Sequence, residues 1–332
     1  MRQSLALTAR SRLPMTEILF ETAENPIPEG ARPGWLVASD GKKLRYALFP
    51  PTGRPIKGTV IILQGRNEYI EKYFETAREL SSRGLFVLTF DLRGQGLSDR
   101  MLDDPKRGFV DSFEDYARDL ELLIDEVALP DCRPPYYILG HSTGSLVALL
   151  AAPRLTNRIR RMVLSAPLIE LAGVPFSPST LRFLVGMLFN IGLGRMYLAG
   201  GPPGEPTPFA TNTLTTDYER FMRNRKIVTR HPELALGGPT VTWIRAACQA
   251  ADLVREDDFL ARITVPTLMI AAGADEVVST PEIALLARRL RSGSLLTIDG
   301  ARHELLQEAD GYREQFLAAF DAFIPGTDSV GY

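Results

Sequence analysis

Short apolar runs alternate with amphipathic segments along most of this chain, and few folds accommodate that pattern. Runs rich in β-branched and aliphatic residues occupy 59–63, 85–90, 136–139 and 161–165. Apolar runs of this length are typical of strands that helices cover on both faces. Strands that alternate with helices form βαβ units, so the sequence predicts a mostly parallel sheet.

Further elements extend the sheet towards both ends of the chain. An N-terminal hairpin is predicted over 35–49, around an Asp-Gly turn signal. Strands at 265–271 and 294–298 and a long amphipathic helix over 309–324 complete the series. The expected fold class is therefore α/β, with an eight-stranded, mostly parallel sheet flanked by helices.

The interval 168–250 interrupts the alternation and differs in charge. It holds eight Lys or Arg residues and five Asp or Glu residues, a local charge of +3 in a chain whose net charge is −2. We expect it to be a helical cap or lid, inserted after the sixth strand. The remaining divisions are a core of 35–167 and 251–325, an N-terminal extension of 1–34 and a C-terminal tail of 326–332.

Composition excludes several classes of protein. With 38 Lys and Arg residues against 40 Asp and Glu residues, the chain has no charge excess to attract nucleic acid, and it lacks a polybasic arm. Cys132 and Cys248 lie outside any Cys-x-x-Cys pattern, so neither a redox role nor a metal site is expected. We expect no cofactor, and the sequence carries no signal for the oligomeric state.

Two stretches bear on the location of the protein. The apolar stretch at the N-terminus is broken and leads into Pro14 and Met15 rather than a small-residue cleavage site, so we expect a cytoplasmic protein. The apolar segment 181–199 is interrupted by Arg182 and Arg195 and is not expected to span a membrane. Two interpretations of it stay open: a lid helix that lines an acyl pocket and touches the inner membrane surface, or a plain packed helix.

The segment Gly140-His141-Ser142-Thr143-Gly144 matches the pattern Gly-x-Ser-x-Gly. It lies between a predicted buried strand and an apolar helix. A sharp strand-to-helix turn holds a serine hydroxyl outward and leaves no room for large neighbours, which accounts for the two glycines. We therefore predict Ser142 as a nucleophile.

A serine nucleophile needs a base, which is nearly always imidazole, and this chain has three histidines. His141 lies within the turn itself and His231 precedes a proline in the insertion, whereas His303 follows the last predicted strand and is the predicted base. Asp275, at the end of another strand, is the predicted acid that orients it, with Glu276 as the alternative. The order Ser, Asp, His along the chain is that of α/β-hydrolases.

Negative charge that develops on a substrate carbonyl oxygen needs fixed hydrogen-bond donors. The predicted donors of this oxyanion hole are the backbone N–H groups of Thr143 and Arg66, with Gly65 permitting close approach of the backbone. The side chain of Arg66 has two possible roles: an ion pair with Glu68, which is the expected one, or contact with an anionic headgroup.

Five motifs occur in a recognisable order: Gln64–Tyr69, Asp91–Ser98, Phe109–Tyr116, Gly140–Gly144 and His303–Leu306. Together they resemble the lysophospholipase and monoacylglycerol lipase branch of the α/β-hydrolases, also described as serine aminopeptidase-like, over about 35–325. The chain departs from that family at Gln64, where His is usual, and at Ser145, where Gly is common.

The resemblance implies a serine hydrolase that cleaves carboxylic esters of single-chain lipids, lysophospholipids or monoacylglycerols, through an acyl-enzyme intermediate. It implies a cap between the sixth and seventh strands, with Ser142, Asp275 and His303 on the family triad. It also implies Arg66 and Thr143 at the oxyanion positions. The apolar cap residues expected to select the acyl chain are Phe176, Leu181, Phe183, Leu184 and Phe189.

Other functions compatible with the motifs are a short-chain carboxylesterase or acyltransferase, a prolyl-type aminopeptidase and a non-catalytic ligand-binding homologue. An aminopeptidase would need carboxylates in the cap to hold the substrate amine, and this cap is basic. A complete triad argues against the non-catalytic homologue. The expected partner is thus a small-molecule lipid ester, with peripheral membrane contact through the cap.

Overall fold

The computed structural model describes residues 18–203 and 207–324. The strands are β1 Arg32–Val37, β2 Lys43–Phe49, β3 Gly58–Leu63, β4 Leu85–Phe90, β5 Tyr136–His141, β6 Ile159–Ser165, β7 Thr267–Ala272 and β8 Gly293–Ile298. The helices are α1 Phe74–Ser82, α2 Phe113–Leu123, α3 Leu129–Asp131, α4 Thr143–Leu155, α5 Pro178–Asn190, α6 Tyr218–Arg230, α7 Val241–Leu253, α8 Asp257–Leu260, α9 Thr280–Arg289 and α10 Asp310–Phe323.

All eight strands form one sheet in the order β1-β2-β4-β3-β5-β6-β7-β8. β2 pairs antiparallel with both β1 and β4, and every other neighbouring pair is parallel. The predicted eight-stranded, mostly parallel sheet and its N-terminal hairpin are therefore confirmed. The hairpin begins at Arg32 rather than at 35, so β1 reaches into the interval expected as an extension.

Helices cover the sheet on both faces. β3, β5 and β7 are buried along their whole length, as their unbroken apolar runs predict. α1 and α10 pack on one face, and α2, α4 and α9 pack on the other. Since β5, β7 and β8 run in one direction, the loops that follow them emerge at the same edge of the sheet.

The interval 168–250 contains α5, α6 and most of α7. α7 packs against α2, where the indole N–H of Trp243 donates to the hydroxyl of Tyr116 at 3.3 Å. α6 is tied to α1 by an ion pair of 2.7 Å between Arg220 and Glu75. Because α7 ends at Leu253, one helix crosses the expected end of the insertion at 250, and the domain boundaries stay a prediction.

Residues 18–31 lie against the core before β1 begins. The carbonyl of Ile18 accepts a hydrogen bond of 2.9 Å from the buried Arg45. The ring of Phe20 stacks on His231 with 3.8 Å between centroids, so this segment contacts both the sheet and the 168–250 interval. The predicted tail, 326–332, lies outside the described residues. Within the described ranges, no helix is long and apolar enough to cross a bilayer.

Candidate active site

Ser142 occupies the sharp turn between β5 and α4, with φ 49° and ψ −112°. Positive φ is rare for residues other than glycine, and it is the strained conformation expected of a nucleophile in this turn. A Cβ atom at Gly144 would lie 2.2 Å from the carbonyl oxygen of Leu63, and one at Gly140 would lie 2.8 Å from Cα of Ser145. The glycines therefore allow the turn to pack against β3 and the start of α4.

Three loops at one edge of the sheet bring Ser142, Asp275 and His303 together. Nε2 of His303 lies 3.0 Å from Oγ of Ser142, and Nδ1 lies 2.8 Å from Oδ2 of Asp275. Glu276 makes no such contact with the ring, which decides the geometric alternative in favour of Asp275. Ser142 is 7% exposed, His303 is 4% exposed and the side chain of Asp275 is fully buried, so the three side chains are largely shielded from solvent.

The carboxylate of Asp275 is also fixed by backbone donors. Its Oδ1 accepts hydrogen bonds from the N–H groups of Val277 at 2.8 Å and Val278 at 3.0 Å. Burial acts to raise the pKa of Asp275, but the hydrogen bond and charge of His303 and these two N–H groups hold that pKa below its ordinary value. The carboxylate is therefore ionised at neutral pH and accepts from Nδ1 of the imidazole.

Two backbone N–H groups beside Ser142 are left without an acceptor. Among the described residues, nothing accepts from the N–H of Arg66 or of Thr143, and both residues border the cavity that contains Ser142. A Cβ atom at Gly65 would lie 2.9 Å from Oε2 of Glu68, so glycine permits the close approach of this loop. Free, fixed donors at these positions are what an oxyanion hole requires.

Glu68 has a different partner from the one predicted. The expected ion pair between Arg66 and Glu68 is wrong, because Glu68 turns inward and accepts from the N–H of Gly65 at 2.5 Å and from Tyr73 Oη at 2.6 Å. The guanidinium of Arg66 instead donates to the carbonyl of Gly237 and lies 5.4 Å from the ring centroid of Trp243.

Sequence reasoning also missed a buried ionic group under the site. Lys72 Nζ lies 2.6 Å from Glu68 and 2.6 Å from Glu304, the residue after His303. Burial lowers the pKa of His141, 3.8 Å from Glu68, to about 4, so this ring is neutral at pH 7. The four-residue spacing of the opposite charges Glu68 and Lys72 was the available signal.

A cavity of about 830 Å³ opens above Ser142. Its apolar wall includes Leu168, Leu171, Trp243, Ile244 and Val277. Its polar wall includes Asn212, Thr215, Asn224, Arg225 and Glu304. A cavity lined by both apolar and polar side chains suits an amphiphile.

None of the five cap residues predicted to select the acyl chain, Phe176, Leu181, Phe183, Leu184 and Phe189, lines this cavity. The reason is the orientation of α5, which packs against α7 and buries only Leu181 and Val185. Phe183 is 70% exposed, and Phe189 lies under the guanidinium of Arg245. The apolar wall is instead built from α6, α7, the segment 232–239 and the loops after β6 and β7.

Comparison with known proteins agrees with the fold. Residues 54–310 match the family model described as "Serine aminopeptidase, S33". The chain is 33% identical to lysophospholipase L2 of Escherichia coli strain K12 over 279 residues, which are 80% of this chain and 79% of the relative. It is 28% identical to human monoglyceride lipase over 275 residues, 82% of this chain and 84% of the relative.

A solved structure shares the fold at lower identity. A soluble variant of monoglyceride lipase from Saccharomyces cerevisiae, in complex with a substrate analogue, superposes with a TM-score of 0.72 at 20% identity. The match covers 92% of this chain and 98% of that one. Because the family model also spans most of the sequence, the chain belongs to the hydrolase family described as serine aminopeptidase, S33, and has the α/β-hydrolase fold.

Proposed function

We propose that this protein cleaves carboxylic esters of single-chain lipids, lysophospholipids or monoacylglycerols, with Ser142 as nucleophile and an acyl-enzyme as intermediate. The chain is an ester hydrolase; the lipid and the covalent route are the proposal. The observation that carries it is the set of hydrogen bonds from Ser142 through His303 to Asp275 at a cavity of about 830 Å³ with a mixed apolar and polar lining.

The distances allow acyl transfer in two steps. Nε2 of His303, 3.0 Å from Ser142 Oγ, takes the hydroxyl proton as Oγ attacks the ester carbonyl. The N–H groups of Arg66 and Thr143 hold the oxyanion, and the imidazolium then protonates the leaving alcohol. A water molecule, deprotonated by His303, attacks the acyl-enzyme and releases the fatty acid and free Ser142.

The charges around the cavity favour an ester over a peptide with a free amine. An aminopeptidase must hold the ammonium group of its substrate with an unpaired carboxylate. Among the described residues, the carboxylates that line the cavity are Glu68 and Glu304, and Lys72 pairs with both. The apolar wall also suits a long acyl chain better than a peptide backbone.

Fatty-acid release from a substrate panel tests this proposal. The panel contains lysophosphatidylcholine, monoacylglycerol, a short nitrophenyl ester and an aminoacyl amide, each with wild type and Ser142→Ala. We expect release from the long single-chain lipids and its loss in the variant. Activity on the short ester alone would contradict the lipid assignment. Undiminished activity in Ser142→Ala would contradict the proposed role of Ser142 as nucleophile.

We also propose that α5 and its flanking loops contact a lipid surface. Large apolar side chains exposed by 36–70% cluster in this part of the 168–250 interval: Phe176, Phe183, Met187, Phe189, Ile191 and Met196. Exposed apolar side chains concentrated in one segment are unfavourable in water and are typical of interfacial contact. A membrane is also where a single-chain lipid substrate resides.

Co-sedimentation with phosphatidylcholine and phosphatidylglycerol vesicles tests this contact. Phe183→Ser is expected to reduce the bound fraction, because it removes the most exposed apolar ring of α5. Leu296→Ser, on the edge strand β8, is a matched control that removes an exposed apolar side chain elsewhere and leaves binding intact. Equal binding by the two variants would show that α5 is not the contact surface.

A further inference from the structure

Arg66, which is partly exposed, differs from the buried arginines in the described part of the chain. Each of those has a carboxylate partner: Arg45 has Glu71 and Asp91, Arg93 has Asp119, and Arg313 has Glu79. Among the described residues, no carboxylate pairs with Arg66. Its contacts are the carbonyl of Gly237 and the face of Trp243, and its buried Nε atom has no hydrogen-bond acceptor.

The positive charge of Arg66 therefore has no counter-ion among the described residues. Burial lowers the pKa of Arg66 to about 10, with only Tyr116 and Tyr197 acting against that shift, so the guanidinium is still charged at neutral pH. Taking a charge out of water without a counter-ion is unfavourable. A bound anion that reached the guanidinium would compensate the charge, and an arginine fork matches phosphate geometry.

Arg66 borders the space where substrate would lie. The residue is partly exposed, and it lines the same cavity as Ser142. The charged side chains that line this cavity in the described part of the chain are three cations, Arg66, Lys72 and Arg225, and two carboxylates, Glu68 and Glu304. Both carboxylates pair with Lys72, and neither forms an ion pair with Arg66.

We propose that the Arg66 side chain binds the phosphate of a lysophospholipid headgroup while the N–H of the same residue holds the ester oxyanion. This inference rests on the function proposed above and selects phosphate-bearing lipids over monoacylglycerols. The arginine side chain and the lipid headgroup span the same number of covalent bonds. The guanidinium carbon is as many bonds from its own backbone nitrogen as the phosphorus is from the ester carbonyl carbon in a 1-acyl lysophospholipid.

The test compares two ether lipids that cannot be hydrolysed, 1-O-dodecylglycerol 3-phosphate and 1-O-dodecylglycerol. Both are used below the concentration at which they form micelles, as competitors of a short nitrophenyl ester. They differ only in the phosphate, and neither has an ester carbonyl for the N–H of Arg66. The ratio of their inhibition constants therefore reports the headgroup contact separately from the oxyanion hole.

Arg66→Met is expected to shift that ratio by about 10–100-fold against the phosphate lipid, since hydrogen bonds to charged groups contribute about 1.5–3 kcal/mol and 1.4 kcal/mol is tenfold in affinity. Arg66→Lys, which keeps the charge but loses the fork, should restore part of the preference. Arg245→Met removes a cation from α7 that does not line the cavity, and the ratio should stay at the wild-type value.

Several outcomes would overturn the assignment. An unchanged ratio in Arg66→Met, or an equal shift in Arg245→Met, would mean that the side chain does not select the phosphate. Glycerol 3-phosphate that competes as well as the lipid would indicate a site for free phosphate esters instead. If Arg66→Met does not fold, as judged by its thermal unfolding, the ratio in Arg66→Lys decides.

Failure of this inference is distinguishable from failure of the proposed function. Wild-type protein that releases fatty acid from long single-chain lipids, with a ratio insensitive to Arg66, refutes only the headgroup assignment. Wild-type protein that releases none, while the ratio still depends on Arg66, refutes the lipid hydrolase and leaves a phosphate-binding cavity.

Discussion

Asp275 and Glu276 are adjacent carboxylates, and only their surroundings distinguish them. We expect Asp275→Asn to lower kcat by about 10³–10⁴, because an amide donates to Nδ1 of His303 and holds the wrong imidazole tautomer. The variant should fold, since its amide oxygen can still accept from the N–H groups of Val277 and Val278. Steady-state kinetics and thermal unfolding measure the two effects.

Glu276→Gln is the matched control at the neighbouring position. It removes the same charge one residue further along, at a side chain without a hydrogen bond to His303, and kcat should stay at the wild-type value. A loss of activity in Glu276→Gln that equals the loss in Asp275→Asn would contradict the geometry.

Single residues also show how far sequence reasoning extends into the site. Ser142, Asp275 and His303 could be predicted because each follows a recognisable strand, and parallel strands deliver such loops to one edge. The direction of the Arg66 side chain could not be predicted. Arg66 and Glu68 are two residues apart, which permits an ion pair. The groups that donate to Glu68 instead, the N–H of Gly65 and the hydroxyl of Tyr73, approach it only in the folded protein.

At the scale of elements, replacing two helical glycines by alanine should have opposite effects on the free energy of unfolding. Gly144→Ala should lower the free energy of unfolding by about 2–3 kcal/mol, because its methyl group would meet the carbonyl of Leu63 on β3 at 2.2 Å. Gly186, in α5, has open space around its Cα, and Gly186→Ala should raise that free energy by about 0.5–1 kcal/mol. Urea unfolding of both variants measures the difference.

Equal effects of the two substitutions would mean that the turn at Ser142 is not packed against β3 as described.

The elements of the sheet were predictable from their apolar runs. The orientation of α5 was not, because its sequence is apolar on most sides and its contact with α7 decides which residues are buried. A sequence of that kind predicts that a helix forms, but it does not predict which face of the helix packs against the rest of the protein.

For the whole molecule, the attachment of the 168–250 interval to the sheet is electrostatic in part. Glu75 on α1 pairs with Arg220 and Arg223 of α6 at 2.7 and 2.6 Å. Burial acts to raise the pKa of Glu75, but Arg220 and Arg223, together with the charge of Arg313, lower it from 4.5 to about 2. The carboxylate therefore stabilises the fold above pH 4.5, and that contribution is lost as pH falls towards 2.

Glu75→Gln should lower the free energy of unfolding at pH 7 by about 1 kcal/mol, a modest value because the carboxylate is partly solvated. The difference from wild type should close as pH falls from 4.5 to 2, because Glu75 is protonated near pH 4.5 in the unfolded chain but only near pH 2 in the folded protein. Chemical unfolding across that range measures it, with faster amide hydrogen exchange in α6 as a second readout.

Glu121→Gln provides the comparison, since it removes an ion pair of 2.6 Å with Arg154 between α2 and α4 rather than a contact with α6. Faster exchange in α6 in this variant as well would contradict a specific role of Glu75. No sequence pattern announces the contact between Glu75 and Arg220, because 145 positions separate them.

The wide separation of the site residues along the chain has a temporal consequence. The hydrogen bond between Ser142 and His303 joins positions 161 apart, and the bond between Glu24 and Lys226 joins positions 202 apart. During synthesis the proposed nucleophile is made well before its base, which follows the final strand of the sheet. A growing polypeptide thus carries a Ser142 without its base until His303 has been made, and the proposed lipid cleavage must await that residue.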